Sequence, residues 1–280
     1  MLNNFWILLF VFLFLAPQWQ KMRLNIARKE ILKKIRDKRK STVITLIHRQ
    51  ETIAFLGIPL SRYIDIDDSE EVLRAIREAP PETPIDLIIH TPGGIALAAT
   101  QIALALRAHR GKTTVIVPHY AMSGGTLIAL AADQICLDEH AVLGPVDPQL
   151  EDRGGYYPAA SVLRILEKKH IDRISDRTLI IAEESKKAMN QTESLVRKLL
   201  QGRYTEEQVN KIIDEFVSGK YTHDYPITGK DIAKLLGTCV DCNIPKEVYE
   251  LMRLYKMETR TSRPGVEYVP IVPKKQLEPI

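Results

Sequence analysis

Short apolar runs rich in β-branched residues alternate with amphipathic stretches from Ser41 onward. Runs of four to six such residues are typical of buried strands and predict strands at residues 42–47, 85–90, 113–118 and 134–137. Apolar positions at helical spacing predict helices at residues 69–78, 95–108, 126–132, 161–169, about 177–201 and 229–236. We expect Asp68 or Ser69 to cap the first of these helices. Strands alternating with helices imply parallel βαβ units, whose ligand sites lie beyond the carboxyl ends of the strands.

The first twenty residues form a separate block with no charge before Lys21. Residues 5–16 are an unbroken apolar run, and the segment from Met1 to Trp19 reaches the roughly 17 to 25 residues that span a bilayer as a helix. A signal peptide is the alternative, but no positive charge precedes the run and no pair of small residues marks a cleavage site after it. We therefore expect a retained transmembrane anchor at residues 1–20.

Residues 21–40 hold ten Lys or Arg and two acids, although the whole chain of 280 residues has a net charge of only +4. The basic character therefore comes from one short tract, which argues against a nucleic-acid partner. Basic flanks stay on the cytoplasmic side of a membrane, so the following domain is expected in the cytoplasm. The tract is either an amphipathic helix along anionic headgroups or a solvated linker.

These patterns divide the chain into four parts: an anchor at 1–20, a basic helix or linker at 21–40, one α/β domain at 41–257 and an extended proline-containing tail at 258–280. Three cysteines fit a reducing compartment, because an odd number cannot all pair internally. Cys239 and Cys242 form a C-x-x-C without a second ligand pair, so no metal and no cofactor is expected.

Two glycine pairs follow predicted strands and open predicted helices. The first lies in His90-Thr-Pro-Gly-Gly94 and the second in Ala121-Met-Ser-Gly-Gly125. Glycines in such loops can point backbone N–H groups at an anion or a developing oxyanion. Ser123 would then carry a nucleophilic hydroxyl, although a serine at a helix start can equally serve as an N-cap. Parallel topology favours the first interpretation, because it brings neighbouring strand ends together.

Together with Ala131-Ala-Asp133 and Val142-Leu-Gly-Pro145, these loops resemble the linked motifs of the ClpP/crotonase clan. Within it the chain is most similar to the serine dehydrogenase proteinase family, related to signal peptide peptidase A and the Clp protease proteolytic subunit. The likeness covers residues from about 41 to 254. It implies a spiral of βαβ units, assembly into rings and a nucleophilic serine that attacks peptide bonds. By position, Ser123 is the nucleophile, and the N–H groups of Gly94 and Gly124 form the oxyanion hole.

The general base is where the sequence departs from the Clp pattern. Leu143-Gly-Pro-Val146 fills the turn that holds a histidine in Clp subunits, and His140 lies three residues upstream, where a cap or solvent exposure is expected. Signal peptide peptidases use a lysine instead, and Lys187-Ala-Met-Asn190 resembles the start of their lysine helix, which favours Lys187 over Lys186. Such a lysine must be desolvated to lower its pKa from about 10.4 towards 7 to 8.

The alternative for Lys187 is a solvated face of the helix, salt-bridged to Glu183 or Glu184. Asp224 occupies the place of the Clp triad aspartate, where it would act in catalysis, cap the helix at 229–236 or pair across a subunit contact. His223 with Asp224 is a rival base pair. Asp147-Pro-Gln149 shapes either the substrate groove or a turn, of which the turn is the simpler interpretation.

The sequence thus predicts a membrane-anchored serine endopeptidase with a Ser–Lys dyad. Its expected partners are peptide or protein substrates, membrane proteins among them, the lipid bilayer and further copies of the same chain. Two alternatives stay open. The same fold supports crotonase-like acyl-CoA chemistry without a serine nucleophile, and a non-catalytic membrane-tethered scaffold would keep the fold without turnover.

Overall fold

The computed structural model describes residues 2–49, 53–55, 58–60, 63–152, 155–237 and 243–255. Its helices are α1 (Leu2–Arg39), α2 (Ile66–Glu78), α3 (Ala96–Ala108), α4 (Gly124–Ala131), α5 (Ala159–Lys168), α6 (Asp176–Leu200), α7 (Glu206–Phe216), α8 (Gly229–Leu236) and α9 (Lys246–Arg253). Its strands are β1 (Thr42–Ile47), β2 (Ile53–Phe55), β3 (Ile58–Leu60), β4 (Ile85–His90), β5 (Thr113–Val117), β6 (Tyr120–Ala121), β7 (Gln134–Leu137), β8 (Val142–Leu143), β9 (Gln149–Asp152), β10 (Gly155–Pro158) and β11 (Ile227–Thr228).

A four-stranded parallel sheet in the order β1-β4-β5-β7 forms the centre of the fold. Its register aligns Thr45 with Ile88, Ile88 with Ile116 and Ile116 with Cys136. All residues of β4 and β5 are buried, as expected for strands covered on both faces. The prediction of parallel βαβ units is confirmed, and β1, β4 and β7 have the predicted bounds. β5 ends one residue early, before Pro118, which has no N–H for a further ladder bond.

Successive residues of β4 point to opposite faces of the sheet and serve two separate cores. Leu87 and Ile89 belong to the larger core, which α2, α3, α4, α6 and α7 cover. Ile88 belongs to a smaller core with Ile35 of α1 and Leu251 of α9. The carboxyl ends of the strands therefore lie between the helices of the larger core on one face and α1 with α9 on the other.

The predicted helices are present, with shifted ends. α2 begins three residues before the predicted position, because Asp65 and Asp68 form a capping box in which each carboxylate accepts the backbone N–H of the other at 3.0 Å. α8 has the predicted bounds but is capped by Thr228, not by Asp224. The expected role of Asp224 as the cap of this helix is therefore wrong.

The basic tract is the second half of α1 and packs on the domain. Ile35 is fully buried, Arg28 donates to the carbonyl of Leu254 at 2.8 Å, and Lys38 pairs with Glu247 at 2.5 Å. Arg39 forms two hydrogen bonds to the buried carboxylate of Asp86. Residues 28–39 of α1 are thus held against the domain by these contacts.

The expected transmembrane helix is not supported. Within the described ranges, no helix is long and apolar enough to cross a membrane. Cys239, Cys242 and the tail at 258–280 lie outside the described residues.

Two small sheets extend the carboxyl edge of the central sheet. β8 lies between β6 and β11, and β9 pairs with β10 as an antiparallel hairpin. Isolated bridges join Ile64 to Gly94 and Thr91 to Ala121. These short pairings bring segments distant in sequence to the two glycine loops.

Candidate active site

Ser123 lies at the tip of a sharp turn between β6 and α4. Its backbone angles are φ 48° and ψ −115°, and a non-glycine residue with positive φ costs on the order of 1 to 3 kcal/mol. Ser123 occupies the N-cap position, yet its hydroxyl makes no capping hydrogen bond. The N-cap interpretation of this serine is therefore not supported. A strained turn that presents an uncommitted hydroxyl at a helix start is the geometry of a nucleophile elbow.

The first glycine loop lies directly against this turn. Gly93 has φ 108°, and a Cβ added to it would come within 2.8 Å of the Ser123 Cβ. Gly94 approaches the backbone of Ile64 so closely that no side chain could fit there. Two loops separated by thirty residues are thus in contact, and only glycine permits the approach at each point.

The backbone pattern leaves two N–H groups available beside Ser123. Ile64 donates to Gly93 O at 2.7 Å, and Ile95 donates to Ile64 O at 2.8 Å. In such a parallel bridge the N–H of the intervening Gly94 points away from Ile64. Gly124 is the first residue of α4, so its N–H has no acceptor inside the helix. Paired N–H groups of this kind are suited to stabilise an oxyanion.

A cavity of about 730 Å³ contains Ser123 together with both predicted oxyanion-hole glycines. Its apolar wall comes from α3, α4 and α6 and includes Ala99, Leu127 and Leu195. Its polar wall comes from the segment after β8 and from the loop before β11. The lining residues of that polar wall are Asp147, Gln149, Glu151 and His223.

Asp147 and His223 form a hydrogen-bonded pair in this polar wall. His223 Nδ1 lies 2.6 Å from Asp147 Oδ1, and Gln149 Nε2 donates to Asp147 Oδ2 at 2.6 Å. The Asp147 side chain is 2% exposed, whereas His223 is 36% exposed. Among the described residues, the Nε2 atom of His223 has no hydrogen-bond partner. An imidazole with one nitrogen fixed by a buried carboxylate and the other free suits a general base.

The pair predicted from the sequence was His223 with Asp224, not His223 with Asp147. Asp147 and His223 are separated by 76 positions, and β11 brings the His223 loop alongside β8, which leads into Asp147. The signal available was an Asp-Pro-Gln segment directly after the turn that resembles the Clp histidine turn, together with a histidine beside the expected aspartate. The two residue types occur in the opposite order along the chain from the Clp arrangement.

Lys187 has an environment opposite to that required of a neutral base. Its side chain is 61% exposed and its Nζ donates to Glu184 at 2.7 Å. The hydrogen bond and the charge of Glu184 raise the pKa of Lys187 above its ordinary value. Lys187 does not line the cavity that contains Ser123. The alternative of a solvated, salt-bridged helix face is what the structure has.

The remaining candidates lie outside the cavity. Asp224 is exposed, and the cavity wall next to it is formed by His223. His140 faces solvent, 3.3 Å from Glu139, as expected.

His90 is buried against the rings of His119 and Tyr120. Burial is the largest cause that lowers the pKa of His90 from 6.5 to about 4, and electrostatic interactions with His119, Arg49 and His48 act in the same direction. His90 therefore stays neutral inside the fold near neutral pH.

Comparison with known proteins identifies the family. The model of the ClpP-like SDH-type serine proteinases matches residues 1–279. The chain belongs to this family. It is 56% identical to the uncharacterized protein MJ0137 of Methanocaldococcus jannaschii over 271 residues, which is 97% of this chain and 93% of the relative. A second protein of that organism, MJ1495, is 49% identical over 270 residues, which is 96% of this chain and 90% of the relative.

Two solved structures match the chain at low sequence identity and with TM-scores below 0.5. ClpP1 from Listeria monocytogenes matches with a TM-score of 0.43 and 14% identity, covering 74% of this chain and 93% of the other. A serine-to-alanine variant of the membrane-bound stomatin-specific protease 1510-N matches with a TM-score of 0.46 and 19% identity, covering 68% and 79%. The resemblance expected from the glycine and serine motifs is confirmed by the family match.

Proposed function

We propose that this member of the family is a serine peptidase in which Ser123 is the nucleophile and the N–H groups of Gly94 and Gly124 form the oxyanion hole. The observation that carries the proposal is the strained turn at Ser123. This turn places a hydroxyl that does not cap α4 at the wall of the cavity, against the glycine loop. A helix cap would not require this strain, because ordinary capping residues have extended backbone angles. The strain therefore favours a chemical role.

We assign the general base to His223, oriented by Asp147. His223 Nε2 accepts the proton of Ser123 as the hydroxyl oxygen attacks the carbonyl carbon of a peptide bond. The tetrahedral oxyanion is held by the two glycine N–H groups, and the imidazolium then protonates the leaving amine. His223 next activates a water that hydrolyses the acyl-enzyme. Asp147 holds the tautomer with the proton on Nδ1 throughout.

The predicted Ser–Lys dyad is the competing assignment. Lys187 would need to lose its contact with Glu184 and leave solvent before its amine could accept a proton. The Asp147–His223 pair needs no such rearrangement, because it already lies in the wall of the cavity. The geometry of the described residues therefore favours the histidine.

The crotonase-like alternative needs paired backbone donors but no serine nucleophile. That reaction gives Ser123 no role and does not explain its strained backbone, so a peptidase function explains the geometry better. Peptide and protein substrates, and assembly with further copies of the chain, stay predictions of the family resemblance. Membrane anchoring does not enter the proposal.

Labelling with a fluorophosphonate probe tests the nucleophile. The folded protein should be modified once, on the peptide that contains Ser123, and Ser123→Ala should abolish the label while retaining the thermal unfolding transition of the unaltered protein. Ser161→Ala, which removes an exposed serine at the start of α5, is the matched control and should label normally. Equal labelling of Ser123→Ala and the unaltered protein would disprove the assignment.

A further inference from the structure

A second histidine–aspartate pair lies beneath the glycine loop, outside the cavity. His48 follows β1 directly, and its side chain is 7% exposed. Its Nε2 lies 3.1 Å from Asp68 Oδ2, and its Nδ1 lies 3.0 Å from the hydroxyl of Thr91. Both ring nitrogens are thus engaged by fixed groups of the protein, and His48 does not line the cavity.

Two chains of hydrogen bonds, here called arms, run from His48 to the glycine loop. The first runs through Thr91. The N–H of Gly93 lies 3.2 Å from the Thr91 hydroxyl, which is itself fully buried. The backbone of Thr91 is also bridged to the serine loop, since Met122 donates to Thr91 O at 3.0 Å and Thr91 donates to Tyr120 O at 3.3 Å. Thr91 therefore holds the two loops of the candidate site at a fixed separation.

The other arm reaches the same loop through Asp68. The carboxylate oxygen that faces His48 also accepts the N–H of Asp65 at 3.0 Å, and the adjacent Ile64 is the residue bridged to Gly93 and Ile95. Burial acts to raise the pKa of Asp68, but the hydrogen bonds from His48 and Asp65 together lower it. Asp68 is consequently ionised near neutral pH and accepts a hydrogen bond from the N–H at His48 Nε2.

The two arms close a ring around the glycine loop. With Nε2 protonated towards Asp68, Nδ1 accepts a hydrogen bond from the Thr91 hydroxyl at 3.0 Å, which is shorter than the 3.3 Å from that hydroxyl to Gly93 O. The Thr91 oxygen then accepts the N–H of Gly93. The ring commits the N–H of Gly93 and the carbonyl of Gly93 to protein partners, while the N–H of Gly94 stays available. His48 is the only member of the ring that contacts both arms by its side chain among the described residues.

We propose that His48 is a positioning residue that keeps the N–H of Gly94 aimed at the oxyanion site. This inference rests on the proposed function, because it concerns the same oxyanion hole. His48 touches neither substrate nor Ser123, and it acts through Thr91 and Asp68. The two arms would matter for catalysis because an oxyanion donor such as the N–H of Gly94 must be in place before the negative charge develops.

Three variants separate the arms. His48→Ala removes both, His48→Asn retains an acceptor near the Nδ1 position towards Thr91, and His48→Gln retains a donor near the Nε2 position towards Asp68. The matched control is His109→Ala, which removes a half-buried histidine bonded to Thr83 O at 2.8 Å, remote from the glycine loops. The readouts are the fluorophosphonate rate constant per folded molecule, kcat and KM on a quenched peptide library, and hydrogen exchange of the amides of residues 93–95.

His48→Ala is expected to slow labelling and kcat about thirtyfold, a loss somewhat below that of an entire oxyanion donor, with KM changed by less than about threefold. Exchange at residues 93–95 should accelerate, His48→Asn should recover most of the rate, and His109→Ala should change none of these. A merely structural histidine would lower the melting temperature but leave the rate per folded molecule unchanged.

Unchanged exchange at residues 93–95 and an unchanged rate in His48→Ala would overturn the proposal. If the unaltered protein shows no Ser123-dependent labelling, the peptidase assignment fails, and the exchange measurement still decides whether His48 holds the loop.

Discussion

Two histidine–aspartate pairs flank the candidate nucleophile, and their patterns of burial are reversed. In the His48–Asp68 pair the histidine side chain is 7% exposed and the aspartate 27%. In the Asp147–His223 pair the aspartate is 2% exposed and the histidine 36%. A buried imidazole with both nitrogens engaged can only hold its neighbours in place. An imidazole at a cavity wall, fixed at one nitrogen by a buried carboxylate, retains a nitrogen for proton transfer. The burial of each partner, more than its residue type, therefore distinguishes a pair that positions its neighbours from a pair that is suited to proton transfer.

Removal of His223 gives the largest expected effect on this comparison. His223→Ala should lower kcat and the fluorophosphonate rate by roughly a thousandfold, within the range for loss of a general base, and leave the melting temperature within a few degrees. Asp147→Asn should act in the same direction by a smaller factor. Rates are measured per folded molecule, with His140→Ala as a control because that histidine is exposed and distant from the cavity wall. Full activity of His223→Ala would assign the base elsewhere.

His90 sharpens the comparison, because it is a buried histidine near the same strand ends with no carboxylate partner among the described residues. Its pKa is about 4 in the fold against 6.5 in an ordinary environment, so the unfolded chain takes up a proton first as the pH falls. Stability should therefore be lost from about pH 6.5 downward and level off below about pH 4. By linkage the loss reaches about 2 kcal/mol at pH 5.

The measurement for His90 is urea unfolding at pH 7 and pH 5. His90→Phe keeps a flat ring beside Tyr120 and removes the titration, so its free energy of unfolding should fall less between the two pH values by roughly the amount above. Equal losses in the two proteins would show that His90 does not resist protonation in the fold.

The smallest expected effect is that of Lys187. Lys187→Met should change kcat by less than about threefold, as for an exposed ion pair, and should match Lys186→Met. The measurement is the same labelling rate used for His223. A loss of a hundredfold or more in Lys187→Met, with Lys186→Met unaffected, would restore the Ser–Lys dyad and would remove His223 from the proposed mechanism.

The sequence predicted the sheet and the glycine loops well, because both depend on local signals. A run such as residues 85–90 is apolar enough to be a buried strand, and a glycine pair after it marks a turn. The contact between Gly93 and Ser123 follows from the rule that parallel strands end at one edge. Local pattern thus predicts where the candidate nucleophile and the oxyanion donors lie.

The polar wall could not be predicted in the same way. Asp147 and His223 meet only because β8 and β11 pair across more than 80 residues, and each strand is two residues long. Lys187 was favoured by the resemblance of a short helical segment, whereas the acids three and four positions before it indicated the solvated, salt-bridged face that the structure has. The α7 and α9 helices were also missed, although both have a local signal. In α7 a capping box at Thr205 and Gln208 precedes apolar residues at helical spacing, which are Val209, Ile212, Ile213 and Phe216. In α9 the apolar residues at helical spacing are Val248, Leu251 and Met252.

Asp86 has a consequence for the limits of the folding unit. Its side chain is 3% exposed near the start of β4, an inner strand of the central sheet, and its carboxylate accepts hydrogen bonds from Arg39 and Ser41. Without Arg39 the sheet would enclose an uncompensated negative charge, a defect that typically costs several kcal/mol. The last turns of α1 therefore neutralise a buried charge of the sheet. A chain truncated just before β1 would leave the Asp86 carboxylate unpaired, and its free energy of unfolding would be lower by that amount.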